Sequence, residues 1–268
     1  MKWMRAAAIA FLLVVCLASL LANVAAPAGY ARQFRDQPDA PPSRAHWLGT
    51  DDLGRDRFSR LLYGTRVSLF LAPAAAALAC VLAALIGGAA GLAGGWTESA
   101  IMAATDLFLS MPWLFLLVTV RALLPLDVSP WASVAITFAL LGCLGWAAAA
   151  RVVCADVRTL WSSDALLLAR ATGSSGLRLL RWHIVPRLRP VLWAQFWISI
   201  PVFILSEANL SILGLGVAEP LPSWGSLLRE LESFPAFTTQ PWQLAPLLLL
   251  VATVSCFHLA LRNQESWA

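Results

Sequence analysis

The sequence predicts an all-α, polytopic membrane protein with about six transmembrane helices and a helical loop outside the membrane. Of its 268 residues, 59% are hydrophobic and 13% are charged, whereas a soluble domain carries about 25% charged residues. Mean hydropathy is +0.72. Six separate segments approach the length of about 20 apolar residues that a membrane-spanning helix needs. A soluble chain this apolar would expose large hydrophobic patches, so we exclude an ordinary soluble domain.

The first apolar segment, residues 6–26, follows Lys2 and Arg5 and is either a cleaved signal peptide or a retained helix. It is longer than the core of about 7–15 residues that a signal peptide has, so we expect a retained transmembrane helix. Residues 27–66 are polar and rich in proline, which predicts a loop outside the membrane. The other five spans are predicted at residues 67–95, 99–120, 131–150, 190–213 and 242–261.

Two acidic residues, Asp106 and Glu207, lie inside predicted spans. Because a charge in lipid is costly, such a residue faces the helix bundle or a wet cavity. Glu207 is therefore either a residue of a translocation path or gate, or a structural group that bonds Asn209, Ser211 or a backbone amide. The same two alternatives apply to Asp106.

Glycines recur on one face of the second predicted span, at Gly87, Gly91 and Gly95. Small residues allow two membrane helices to approach closely. The stripe is either an interface that slides or opens, or a site of static packing.

The charged residues and cysteines exclude several classes of function. The chain has one lysine, Lys2, which follows no glycine-rich loop, so the P-loop motif of nucleotide hydrolysis is absent. The five cysteines form no CxxC pair, and we predict neither a metal site nor a cofactor. The basic residues lie in loops between apolar segments, which argues against nucleic-acid binding.

Residues 151–189 form the most informative polar segment, with seven arginines against two aspartates. Ser162 or Ser163 can cap a short helix that starts at Asp164, whose charge suits a helix N-terminus. Gly173 can end this helix. A second short helix is predicted from Leu177 to Val185, ended by Pro186. Such amphipathic helices have no core of their own, so the segment either docks on another protein or lies on lipid headgroups.

Several ordered sequence motifs carry a resemblance to a known family. The stretch Leu167-Leu-Ala-Arg-Ala-Thr-Gly173, followed after ten residues by Ile184-Val-Pro186, resembles the EAA loop of importer-type ABC permeases. Further motifs resemble signatures of the dipeptide/oligopeptide/nickel permease subfamily. They run from His46 to Asp56, Phe58 to Arg66, Glu207 to Gly216 and Pro222 to Gly225. The EAA pattern has a glutamate where this chain has Leu167.

The resemblance implies a permease subunit of a binding-protein-dependent ABC importer in a bacterial inner membrane, for peptides or a related small solute. It implies four kinds of partner: a second, related but different permease subunit, two cytoplasmic ATP-binding subunits, an external solute-binding protein and the lipid bilayer. ATP hydrolysis would belong to the partner subunits, so this chain is not expected to be an enzyme. Basic residues divide almost evenly between the two sides, so the resemblance alone sets the orientation, with 151–189 and both termini inside.

The resemblance also implies a domain division and candidate site residues. Residues 1–66 would be an N-terminal helix with an external loop, and residues 67–268 the permease domain. ATPase docking is expected at Leu167, Leu168, Ala169, Arg170, Gly173 and Pro186. A translocation or outer-gate region is expected at Glu207, Gly214 and Gly216. An outer loop facing the binding protein or partner permease is expected at Gly49, Asp51, Asp52, Gly54, Arg55 and Asp56.

Other interpretations of the chain have less support. His46 and the nearby aspartates fit no metal-loop spacing, and neighbouring arginines predict a salt-bridged loop instead. A stand-alone secondary carrier or channel would need intramembrane charges and internal symmetry, and no repeat is visible. A membrane hydrolase would need a nucleophile, a base and an acid, but His183 and His258 lack suitably spaced partners.

Overall fold

The computed structural model describes residues 2–125, 127–172, 174–231 and 240–261. The regular elements in these residues are helices, and the extended backbone is limited to two isolated bridges, Gln33 with Arg55 and Thr50 with Asp56. The all-α prediction is therefore confirmed. The helices are α1 (Lys2–Leu20), α2 (Ala22–Ala25), α3 (Arg57–Ala93), α4 (Gly95–Ser110), α5 (Trp113–Leu123), α6 (Pro130–Leu144), α7 (Ala147–Trp161), α8 (Asp164–Ala171), α9 (Gly176–Leu179), α10 (Val185–Ile212), α11 (Trp224–Glu230) and α12 (Ala245–Leu261).

Five helical segments of the described chain are long and apolar enough to cross a membrane. They are Trp3–Leu20, Arg57–Ala93, Pro130–Trp161, Gly176–Ile212 and Pro241–Leu261. The pair α4 and α5 also qualifies, although the two helices meet at an angle of 87°. Counted as one broken span, this pair gives the six predicted spans.

The predicted end of the second loop helix at Pro186 is wrong. A π-helical turn, Leu180–Ile184, links α9 to α10, and the helix continues through Pro186 to Ile212. Proline lacks an amide hydrogen and its ring crowds the carbonyl one turn earlier, which disfavours it inside a regular helix. Just before Pro186, the Val185 amide bonds the Leu180 carbonyl five residues back, so the regular ladder of bonds is already interrupted where the proline enters.

The first of two compact units comprises Met1–Ala72, Val118–Phe138 and Pro201–Ala268. Within it, α1 and α11 both pack against α12. Trp224, the first residue of α11, is fully buried. Its indole N–H donates to the Thr65 hydroxyl over 2.9 Å, and its backbone N–H donates to the Ser68 hydroxyl over 3.1 Å. These bonds anchor α11 to the beginning of α3.

The second unit comprises Pro73–Leu117 and Ala139–Ile200. Its α4 packs on α7, and α7 and α8 share a buried apolar cluster. Two glycines of the predicted stripe face α7 closely, with Gly87 against Ala150 and Gly91 against Cys154. Gly95 starts α4 and has open space around its Cα. The stripe thus contributes Gly87 and Gly91 to packing within this unit.

Replacing Gly91 with alanine should lower the free energy of unfolding by about 1–3 kcal/mol, the usual cost of overpacking. An added Cβ would lie 2.8 Å from the Cys154 carbonyl oxygen and 2.9 Å from the Val157 Cβ. Gly88 is the matched control, because an added Cβ there meets nothing within 4 Å. Denaturant unfolding of the purified chain measures both variants. Equal stability of Gly91→Ala and Gly88→Ala would contradict a tight crossing.

Candidate functional site

The helix α8 forms where the local sequence predicts it, with Ser163 as its N-cap residue and Asp164 in its first turn. The Ser163 hydroxyl donates to the Leu160 carbonyl over 2.6 Å rather than capping the helix, so its side chain does not play the predicted capping role. Ser175 is the N-cap residue of α9. The two predicted helix starts are therefore confirmed by backbone geometry.

The inner face of α8 is held in place by apolar contacts. Leu166 is fully buried in a cluster with Val153, Val157, Ile184 and Leu188. The Arg170 guanidinium lies 3.4 Å from the centre of the Trp161 ring, a cation–π contact. These contacts connect α8 both to α7 and to the beginning of α10.

Three leucines of α8 and α9 are exposed. Leu167 is 50% exposed, Leu168 68% and Leu177 77%. Ala169 and Arg170 are half-buried and Pro186 is exposed, while Gly173 lies outside the described residues. We call the exposed leucines Leu167, Leu168 and Leu177 the leucine patch.

A group of charged residues in the first unit confirms the predicted salt-bridged loop. Asp51 accepts from Arg55 over 2.6 Å, and Arg55 also reaches Glu219 over 2.5 Å. The Arg60 Nη2 atom lies 2.7 Å from the Glu230 carboxylate and 3.1 Å from the Glu219 carboxylate. Arg60 is fully buried. We call these five residues the loop ionic cluster.

The two glutamates of the loop ionic cluster have opposite pKa shifts. Burial raises the pKa of Glu230 above its usual value, and attraction by Arg60 offsets this only in part. For Glu219, burial also acts to raise the pKa, but Arg60 and Arg55 together hold it below its usual value. As pH falls, Glu230 is therefore protonated before Glu219.

The predicted outer-loop residues mostly hold the shape of their own loop. Gly49 and Gly54 adopt φ values of +70° and +74°, and an added Cβ would strike the neighbouring backbone of residues 40 and 34. Asp56 bonds the His46 ring over 2.9 Å and the Ser59 amide over 2.7 Å, next to the start of α3. Asp52 is exposed, while Asp51, Arg55 and Asp56 are buried.

The predicted gate residues share one polar neighbourhood in the first unit. Glu207 is fully buried and accepts from the Ser211 hydroxyl over 2.6 Å and the Ser223 hydroxyl over 2.7 Å. An added Cβ on Gly216 would lie 2.6 Å from the Ser211 Cα, and Gly214 has a φ of +77°. The structure thus contains the hydrogen bond to Ser211 that the structural interpretation of Glu207 predicts. Asp106, in the second unit, pairs with Arg151 over 2.7 Å.

Comparison with known proteins decides the family. Residues 64–265 match the binding-protein-dependent transport system inner membrane component family. The chain belongs to this family.

Several relatives of this inner membrane component are known. The oligopeptide transport system permease protein OppC of Bacillus subtilis is 36% identical over 206 residues, 77% of this chain and 65% of OppC. The dipeptide permease DppC of the same organism is 29% identical over 231 residues, 86% of this chain and 70% of DppC. The nickel permease NikC of Escherichia coli K12 is 33% identical over 261 residues, 96% of this chain and 91% of NikC. The predicted family is therefore confirmed.

Membership in this family confirms two further predictions. The component is a multi-pass protein of the inner membrane. The family consists of transport components of the membrane, so the chain is not an enzyme. Among the described residues, no three His, Cys, Asp or Glu side chains lie close enough together to hold a metal ion.

Sequence reasoning missed two residues of this inner membrane component, Glu219 and Glu230. Arg60 is separated from them by 159 and 170 residues along the chain. A partner at such a distance leaves no periodic signal in a single sequence. The pair Asp51 and Arg55 could be predicted from the sequence, because the two residues are only four positions apart.

Proposed function

We propose that the chain is the solute-conducting permease subunit of an ATP-driven, binding-protein-dependent importer of the ABC class. Its solute is a peptide or a related small molecule, in keeping with relatives named for oligopeptide, dipeptide and nickel transport. A second, related permease subunit, two cytoplasmic ATP-binding subunits and an external solute-binding protein complete the assembly. In this proposal residues 1–66 are an N-terminal helix and external loop, and residues 67–268 are the permease domain.

The observation that carries the proposal is the leucine patch on α8 and α9. Leu167 and Leu168 lie between the candidate spans Pro130–Trp161 and Gly176–Ile212, Leu177 is the second residue of the latter, and all three are at least half exposed. Exposed apolar side chains on such a segment mark a surface that another protein or the membrane covers. The proposed occupant is the ATP-binding subunit.

The packing of α8 supports a mechanical role. Leu166 contacts Ile184, which immediately precedes α10, and Val153 and Val157 on α7. Closely packed interiors transmit displacement because they have little free volume. Closure of the ATP-binding subunits would therefore move α7 and the start of α10 together with α8. Such movement of two spans is what alternating access requires.

The docking contact in this chain should be mainly apolar. Leu167 occupies the position where the EAA pattern has a glutamate, so that carboxylate is missing. Burial of leucine side chains then supplies the affinity, at about 1.5–3 kcal/mol for each fully buried side chain. We infer that the matching surface of the ATP-binding subunit is an apolar groove.

Replacing Leu168 with serine should weaken association with the ATP-binding subunit by about 10- to 100-fold, the equivalent of one lost leucine burial. The measurement is the dissociation constant for the ATP-binding subunit, with the chain held in nanodiscs. Leu53→Ser is the matched control, because Leu53 is similarly exposed, at 48%, but lies in the loop before α3.

Two results would contradict this proposal for the leucine patch. One is an unchanged dissociation constant for Leu168→Ser. The other is an equal loss for Leu53→Ser, which would point to a general effect of removing exposed leucines.

The remaining predicted sites stay part of the proposal. Glu207, Gly214 and Gly216 belong to the gate region, supported by a buried carboxylate with hydroxyl partners beside a tight turn. The loop from Gly49 to Asp56 faces the binding protein or the partner permease, and its exposed residues Asp52 and Leu53 are the ones available for contact.

A further inference from the structure

The first unit contains a cavity of about 620 Å³ with three arginines on its wall, Arg55, Arg121 and Arg229. Three carboxylates also border it, those of Asp52, Glu219 and Glu230. The Glu219 and Glu230 carboxylates are already paired with Arg55 and Arg60. Asp52 is exposed to water.

Arg121 is an unusual component of this wall. It is only 1% exposed, and its Nη1 atom donates to the Pro125 carbonyl over 3.3 Å. Its buried Nε–H has no hydrogen-bond partner in the part of the chain that the structure describes. Across the same residues, no carboxylate pairs with Arg121. A buried cation is costly without compensation, and with no counter-ion for Arg121 among the described residues, a bound anion would supply it.

Arg229 supplies a further positive charge to the same cavity. Its two terminal nitrogens lie beside Gly214, each 3.2 Å from where a Cβ of that residue would be. A larger residue at position 214 would crowd this guanidinium. Hydroxyl groups nearby are already engaged, since Ser133 donates to the Gly216 carbonyl and accepts from the Ala218 amide. Arg55 on the same wall is already paired with Asp51 and Glu219, so Arg121 and Arg229 are the cations left for a ligand.

We propose that this cavity binds the carboxylate of a small solute, with Arg121 as the buried anchor and Arg229 as the second cation. A guanidinium presents two parallel N–H groups that match a carboxylate, and charge-assisted bonds of this kind are the stronger ones in proteins. The inference rests on the proposed import function, which supplies a solute to the cavity. It narrows the solute class to molecules that carry a free carboxylate.

The test compares two probes that differ in this group alone, alanyl-phenylalanine and its C-terminal amide. Their binding to the complete complex in nanodiscs is measured by titration of tryptophan fluorescence. The free acid should bind at least about tenfold more tightly than the amide, because a lost charge-assisted bond has roughly that effect. In Arg121→Gln this preference should disappear, whereas Arg44→Gln, at an exposed arginine of the first loop, should retain it.

Stability of the unliganded complex controls for misfolding. Removing a buried charge that lacks a counter-ion should leave the Arg121→Gln complex at least as stable to heat as the parent. Should that variant fail to fold, Arg121→Lys keeps the charge but loses the paired N–H groups, and its acid preference should fall without vanishing.

Several outcomes would overturn the inference. These are equal binding of acid and amide, no binding of either, or a preference that survives in Arg121→Gln. Sodium sulfate binding as tightly as the dipeptide would indicate a general anion site and would also overturn it. ATP-dependent uptake into proteoliposomes is measured separately. Equal uptake of acid and amide would refute the carboxylate site but not the import function. Uptake of any solute without ATP would refute the import function.

Discussion

Replacing Arg60 with methionine is expected to lower the free energy of unfolding by about 3–5 kcal/mol, the usual cost of removing one partner from a buried ion pair. Arg60 is fully buried and contacts the carboxylates of Glu219 and Glu230. Methionine has a similar shape but no charge, so both glutamates would lose a counter-ion. Denaturant unfolding of the purified chain in detergent is the measurement.

The loss of unfolding free energy caused by Arg60→Met should become smaller as pH falls. Burial already raises the pKa of Glu230, and loss of Arg60 would raise it further. Above that pKa the Glu230 carboxylate, left with only the longer contacts to Arg57 and Arg55, is charged and destabilising. Below that pKa the group is neutral. The difference from the parent should therefore shrink as pH falls. Arg44→Met, at an exposed arginine, should change the free energy of unfolding by less than about 0.5 kcal/mol. A pH-independent difference would count against the ionic explanation.

Replacing Trp224 with alanine is expected to cost a comparable amount, about 3–5 kcal/mol, as other truncations of large buried aromatic residues do. Trp224 is fully buried and joins α11 to α3 through Thr65 and Ser68. Because α11 carries Arg229 and Glu230, its loosening should also disturb the cavity and the loop ionic cluster.

Two comparisons separate packing from hydrogen bonding at Trp224. Trp224→Phe keeps most of the apolar volume and loses the indole N–H, so it should cost nearer about 1 kcal/mol. Trp96→Ala, at a tryptophan that is 85% exposed, should leave the free energy of unfolding nearly unchanged. Equal losses for the alanine variants of Trp224 and Trp96 would show that burial does not determine the effect.

The basic segment shows how far local sequence rules reach. The start of α8 at Asp164, after Ser163, was predictable from residue preferences at helix starts, although the Ser163 hydroxyl bonds the Leu160 carbonyl and does not cap the helix. The fate of Pro186 could not be predicted in this way. Whether the helix ends at this proline or continues through it depends on the π-helical turn before it and on the packing of Ile184. That packing involves residues of α7 and α8.

The sequence by itself determined that this chain is a helical membrane protein, that a basic segment separates two of its spans, and which family its motifs resemble. Composition, span length and capping are properties of short stretches, so they can be predicted without a fold. Only the tertiary structure decided which charges meet. Arg60 finds its carboxylates on a segment 159 residues away, while Arg121 has none among the described residues. Contacts of this kind depend on how distant segments pack, because electrostatic pairing acts over a few ångströms in space rather than along the chain.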